Sequence, residues 1–233
     1  DTLNYVYENA NEITNLIGVQ QDPTHHPEGD AFIHTLRVVD AAKEICNRER
    51  LNEDETIILM LAALCHDFGK ANTTFFHEKK QKWVAYNHQR TGIPLTESFL
   101  EKINCPQKYR RPILTLVYEH MVHLLEEPTP KNVRKLINRL VEGKTTLRML
   151  TLIAEADNSG RPPLPKGIST RFLPWLKQAD ELNLSGEAKV PPLVSGDELI
   201  SLGMKEGKEL GDLLKWFYEE QMCGRLTPEN KTQ

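Results

Sequence analysis

The sequence predicts an all-α fold. Three observations carry this: apolar residues recur at i, i+3, i+4 and i+7 through most of the chain, alternating β-branched runs are nearly absent, and the periodic segments are separated by proline and glycine. The 233 residues suffice for one generous domain, or for one domain of about 150 residues with a smaller appendage.

A first helix is expected over residues 3–17, closed by Gly18 as a C-cap. The stretch Gln21-Asp22-Pro23-Thr24-His25-His26-Pro27-Glu28-Gly29-Asp30 then forms a loop, because its prolines and glycine exclude a helix. A second helix follows over 31–48. Asn52 offers an N-cap and Glu53, Asp54 and Glu55 place acids in a first turn, opening an apolar helix that runs from Ile57 to Asp67 and stops at Gly69. Further helices are expected over 94–103, 111–125, 131–141 and 145–157. No helix crosses Arg161-Pro162-Pro163-Leu164-Pro165-Lys166-Gly167, where three prolines lack the amide donor and clash with a preceding turn. A domain boundary is expected there, dividing the chain into 1–165 and a small C-terminal helical extension, 166–233. That extension reads as a helical piece over 172–183, a linker at Val190-Pro191-Pro192 and a helical pair between Asp197 and Cys223.

Composition narrows the function classes. No apolar run approaches the roughly 18 residues of a membrane span, so no membrane partner is expected. The start of the chain shows no secretory signal, although a sequence opening at Asp1 is open to being processed or part of a longer protein. Cys46, Cys65, Cys105 and Cys223 are widely spaced and form no CxxC pair, which fits a reducing cytoplasm rather than a disulfide framework or zinc finger. A net charge of −4 argues against a chain-wide polyanion surface. The basic clusters Lys108-Tyr109-Arg110-Arg111 and Lys131 to Arg139 could meet phosphates locally, but a solvated helix face is the simpler reading.

The chemistry is suggested by polar residues placed where apolar ones belong. His34 lies in register with Val38, Ala41 and Ile45; His66 with Leu59, Ala62 and Ala63; His120 with Ile113, Leu116 and Val117; and Asp157 with Leu150, Ile153 and Ala154. Four helices thus aim a polar group inward. One such histidine alone is more simply a core residue bonded to a backbone carbonyl. Several facing one core most economically share a cation, since buried imidazoles and carboxylates are costly unless paired or metal-bound. The pair His66-Asp67 strengthens this, because adjacent helical residues point about 100° apart and can meet an ion from two directions, or Asp67 can bridge two ions.

His34, His66-Asp67 and the distant Asp157 resemble the H…HD…D signature of the HD phosphohydrolase superfamily, and His88 with His120 between them is similar to its six-ligand, two-metal version. Further stretches resemble the HD domain of bacterial CCA-adding enzymes, the tRNA nucleotidyltransferases: Gln21-Asp22-Pro23 through His26-Pro27-Glu28-Gly29-Asp30, Asn87 to Leu95, and Ala156-Asp157-Asn158-Ser159-Gly160-Arg161-Pro162. The tail from Ser195 to Thr227 is similar to the end of some members. The Gly-Ser pair and DxD aspartates of that family's nucleotide-adding head do not occur, so nucleotide addition is not expected of this chain.

The resemblance implies an HD-domain helical bundle that is a metal-dependent phosphohydrolase. His34, His66, Asp67 and Asp157 would hold one ion and Asp67, His88 and His120 a second, activating a bridging hydroxide between ions about 3.5–4 Å apart. Mixed imidazole and carboxylate ligands favour Mn²⁺, Fe²⁺, Co²⁺, Ni²⁺ or Zn²⁺, with Mg²⁺ open at a His-poor position. Lys70, one turn beyond Asp67, is a candidate for catalysis and phosphate contact; His25, His26 and Arg90 are candidates for substrate contact from loops at the mouth. His77 and His123 are taken as background, with His123 sharing nearly the same face as His120. The implied substrate is a nucleotide-like phosphomonoester or a 2′,3′-cyclic phosphodiester. Two alternatives stand beside it: a non-catalytic tRNA- or RNA-binding module gripping through residues 193–224 and Lys131 to Arg139, and a remnant whose metal merely stabilises the fold.

Overall fold

The computed structural model describes residues 10–184 and 186–231, so the expected helix over 3–17 lies partly outside the described residues; its described portion is α1 (Asn11–Thr14), followed by turns. The rest is helical: α2 (Ala31–Glu49), α3 (Glu53–Cys65), α4 (Lys70–Thr73), α5 (His88–Lys102), α6 (Gln107–Glu119), α7 (Val122–Leu125), α8 (Pro130–Glu142), α9 (Leu147–Ser159), α10 (Leu173–Glu181), α11 (Gly196–Ser201) and α12 (Lys208–Met222). No described helix is long and apolar enough to cross a membrane. One hairpin interrupts the helices, β1 (Thr74–His77) pairing antiparallel with β2 (Lys82–Ala85) in the register Phe76 opposite Trp83. Its strands are four residues each, too short for an alternating pattern, and are held by aromatic pairs: Phe76 with Trp83 and Phe75 with Tyr86.

Local chemistry explains the helix starts. Asp30 caps α2 by accepting from Ile33 N at 2.9 Å, Asn52 and Glu55 form a capping box on α3, and Thr129 and Thr146 cap α8 and α9. Two expected boundaries move. Pro94 opens the helix expected over 94–103, but α5 begins six residues earlier at His88 and carries Pro94 in its interior. The helix expected over 111–125 is two pieces, broken after Glu119 so that His120 caps α6.

Helix α3 packs against α2, α6 and α9, α2 also packs against α9, and α5 packs on α6. Leu59, Leu116, Leu136, Leu140 and Leu150 are fully buried in their shared core. That core does not end at the proline-rich segment. Phe172, Trp175 and Ala179 belong to it, with Ile168 and Leu184 packed against it, so the expected 165/166 junction falls inside one apolar cluster. A second, smaller cluster begins at Val194 and includes Leu199 and Leu210. We place the division between Leu184 and Val194. The tail docks back on α8, where Asn138 Nδ2 donates to Tyr218 Oη at 2.7 Å and Asn138 Oδ1 accepts from Val190 N at 2.9 Å.

Candidate metal centre

Every candidate ligand stands at or near a helix end. His34 is in the first turns of α2, His66 caps α3 with Asp67 next in the chain, Lys70 opens α4, His88 opens α5, His120 caps α6 and Asp157 lies in the last turn of α9. His88, which lies ahead of the helix expected over 94–103, is a helical residue preceded by Asn87 in the left-handed conformation (φ 59°). The turn carrying Asp67 meets α5 through Gly69: a Cβ there would lie 2.0 Å from His88 O and 2.7 Å from Gly92 N. Gly69→Ala must therefore push α5 away from the turn, and we expect a loss of roughly 1–3 kcal/mol from overpacking, read as a lowered midpoint in thermal denaturation together with weakened metal binding.

One hydrogen-bond pattern sets three of the imidazoles. His66 Nδ1 lies 2.8 Å from Ala63 O, His88 Nδ1 2.8 Å from Ala85 O and His120 Nδ1 2.6 Å from Val117 O. A carbonyl only accepts, so each Nδ1 carries the proton and each neutral ring keeps its Nε2 lone pair free. His34 differs, lying between two carboxylates: its Nδ1 is 2.7 Å from Glu28 Oε1 and its Nε2 hydrogen-bonds Asp157 Oδ1 at 3.1 Å.

The Nε2 atoms converge. His34 Nε2 is 3.7 Å from Asp67 Oδ2 and 3.1 Å from Asp157 Oδ1; His66 Nε2 is 3.2 Å from Asp67 Oδ2; His88 Nε2 is 3.3 Å from Asp67 Oδ1. His88 Nε2 and His120 Nε2 stand 3.3 Å apart. With both protons held on Nδ1, these two lone pairs face each other in a buried site, and His66 Nε2 is buried without a hydrogen bond. Relative exposure is 0% for His34 and 1% for His66, Asp67 and His120, so water does not compensate them. Ligand atoms of His34, His66 and Asp67 lie within 4.8 Å of one another, as do those of Asp67, His88 and His120, with Asp67 common to both sets. The donor set of neutral imidazoles and ionised carboxylates fits divalent cations.

Electrostatics favour that ligand state at His88 and His120. Burial pushes His120 down to about 3, with His66 and His88 adding to the shift, and burial likewise lowers His88. Both are neutral near pH 7, as metal ligands must be. Burial opposes ionisation of Asp67, yet its neighbours His66 and Lys70 hold its carboxyl well below the usual range. Asp157 is held low against burial by His34, and His34 is raised against burial by Asp157 and Glu28.

A cavity of about 500 Å³ opens over the centre, lined by Asp67, His88, His120, Asp157 and Lys70. Lys70 is buried, its Nζ 2.7 Å from Asp67 Oδ2 and donating to Gln21 Oε1 at 2.7 Å. His25 and His26 line the mouth; Arg90 is exposed and outside the lining, so the structure does not bring it to the cavity. His123 lines the wall against Phe172, away from both ligand sets, and His77 stacks on Phe75 in the hairpin. Sequence reasoning missed Lys82, Trp83 and Tyr86 of the hairpin, Arg161 of the proline-rich segment and Arg171 just after it. These lie in loops or short strands without periodicity. It also missed Glu28, for which the His26-x-Glu28 spacing was the available signal.

A family model described as the HD domain matches residues 31–158. Curated relatives include the Multifunctional CCA protein of Nitrosococcus oceani, 30% identical over 208 residues that cover 88% of this chain and 46% of the relative. The Multifunctional CCA protein of Methylococcus capsulatus is 32% identical over 191 residues, covering 78% and 40%. The chain thus spans less than half the length of these relatives. No solved structure matches it significantly.

Proposed function

We propose that this chain, which belongs to the HD domain family of metal-dependent phosphohydrolases, hydrolyses a nucleotide-like phosphomonoester or a 2′,3′-cyclic phosphodiester. The observation that supports this best is the convergence of four Nε2 atoms on Asp67 beneath a cavity with a cationic wall. Divalent ions bound there supply Lewis-acid charge and make an attacking water acidic near neutral pH. His34, His66, Asp67 and Asp157 serve as one ligand set and Asp67, His88 and His120 as the other. Lys70, Arg161 and Arg171 offer cationic donors to phosphoryl oxygens from the lining. Trp83 and Tyr86 offer a ring face to a base, and Met121, Leu124 and Leu125 give the wall an apolar side.

The test is hydrolysis of p-nitrophenyl phosphate, its bis ester and a nucleoside 2′,3′-cyclic phosphate with Mn²⁺, Co²⁺, Ni²⁺, Zn²⁺ or Mg²⁺. We expect turnover with at least one ion, and loss of it on chelation. A metal-loaded protein inert toward all three esters ends the hydrolase reading.

A non-catalytic RNA-binding role is the second reading. It is supported by the CCA-protein relatives and by the hairpin, where exposed Phe75, Phe76 and Tyr86 sit beside exposed Lys79 and Lys80. The stretch from Lys131 to Arg139 supports it less, because Arg139 is paired with Glu119 at 2.6 Å and Arg134 reaches Met222 O. Retention of a labelled tRNA by the metal-loaded protein, without cleavage, favours this reading.

A further inference from the structure

We infer that Glu28 is a positioning residue shared by a metal ligand and a substrate-wall residue, fixing His34 and His26 with one carboxylate. This rests on the reading of the centre as metal-binding. Glu28 Oε1 lies 2.9 Å from His26 Nδ1 and 2.7 Å from His34 Nδ1, and its side chain is 1% exposed. The two rings stand edge to face, 4.6 Å between centroids. No lysine or arginine among the described residues pairs with this buried carboxylate; the two imidazoles are its side-chain partners.

The same three residues could in principle hold an ion of their own, since their ligand atoms lie within 4.8 Å of one another. His34 decides otherwise, because it already turns its other nitrogen toward Asp67 and Asp157. Glu28 meets His26 Nδ1 in a hydrogen bond at 2.9 Å and His34 Nδ1 in a close ion-pair contact at 2.7 Å. A carboxylate bonded behind a ligating imidazole fixes the ring's tautomer and orientation and raises its basicity. On His26 the same bond takes up Nδ1, leaving Nε2 as the polar ring atom available to the cavity that this residue lines.

The loop is built to hold Glu28 still. Asp22 O accepts from His26 N at 2.8 Å and Asp22 Oδ1 from Thr24 N at 3.0 Å on one side. On the other, Gly29 adopts φ 133°, a conformation that suits glycine, and delivers the chain to Asp30. Asp30 caps α2 and also accepts from Gly18 N at 2.7 Å. Glu28 is therefore anchored within two residues of a capped helix that carries His34 in its first turns.

The test uses the full chain, cobalt(II) alone as the metal and inorganic phosphate as the cavity ligand. Affinity comes from chelator competition, and ligand geometry from the visible d–d bands. Glu28→Ala should weaken cobalt binding about 10–100-fold and shift those bands. Glu28→Gln keeps an oxygen that can accept from His34 Nδ1, and should weaken binding by about tenfold or less. His26→Ala should leave cobalt affinity within about twofold, since it removes no ligand, while weakening phosphate binding. Glu28→Ala should weaken both. A wild-type chain that binds no cobalt brings down the metal-centre reading itself. A wild-type chain that binds cobalt, with Glu28→Ala unchanged in affinity, spectrum and phosphate binding, overturns this inference alone. If Glu28→Ala does not fold, Glu28→Gln with all three readouts unchanged overturns it equally.

Discussion

Asp67→Ala is expected to lose nearly all bound metal and to reduce phosphoester hydrolysis by about three orders of magnitude or more, about 4 kcal/mol of barrier. Asp67 is the carboxylate common to both ligand sets, within 3.7 Å of nitrogen atoms of His34, His66 and His88. Its removal leaves His88 and His120 with no carboxylate in their set and the other set with Asp157 as its one carboxylate. It also strands Lys70, which is 8% exposed and whose ammonium lies 2.7 Å from Asp67 Oδ2. Breaking a buried pair by deleting one partner typically costs 3–5 kcal/mol, so the melting temperature should fall while the helical circular dichroism at 20 °C persists. Metal content by mass spectrometry and initial rates on a model diester provide the check. Retention of more than about a tenth of wild-type activity, a barrier change under about 1.4 kcal/mol, removes Asp67 from its proposed role.

A chain ended at residue 165 is expected not to fold. Phe172 and Trp175 are 0% and 1% exposed within the principal core, and α10 packs on α8. Losing a buried Phe or Trp side chain costs roughly 3–5 kcal/mol, and domains of this size are stable by only about 5–15 kcal/mol. Two such losses, with the cavity they open, consume most of that margin. A chain ended at residue 186 keeps both aromatics and removes mainly the smaller cluster of Val194, Leu199 and Leu210. It should melt cooperatively and retain metal. Thermal denaturation of the two truncations decides the matter: a 165-residue chain with the full-length midpoint would restore the division at the proline-rich segment.

Much of the centre was legible because its ligands lie at or near helix ends. A histidine in register with Val38, Ala41 and Ile45, or with Ile113, Leu116 and Val117, is a local fact of periodicity. So is the start of α3, where Asn52 and Glu55 write a capping box. His88 was harder to place. Asn87, the left-handed residue before it, interrupts any pattern on its N-terminal side, and the proline six positions on suggested a helix start that the chain does not use.

By itself the sequence determined the helical class, the inward polar groups and the family resemblance, since each follows from side-chain spacing or from residue types met in order along the chain. Only the tertiary structure decided which atoms meet. The His34–Asp157 contact spans 123 positions, and no local pattern encodes it. The Nε2 lone pairs follow from Nδ1 bonds to specific carbonyls, and the recruitment of Glu28 from the way its loop folds back on α2. The place where the core ends was likewise decided by packing: prolines stop a helix, but they do not stop Phe172 and Trp175 from burying their rings against helices already formed.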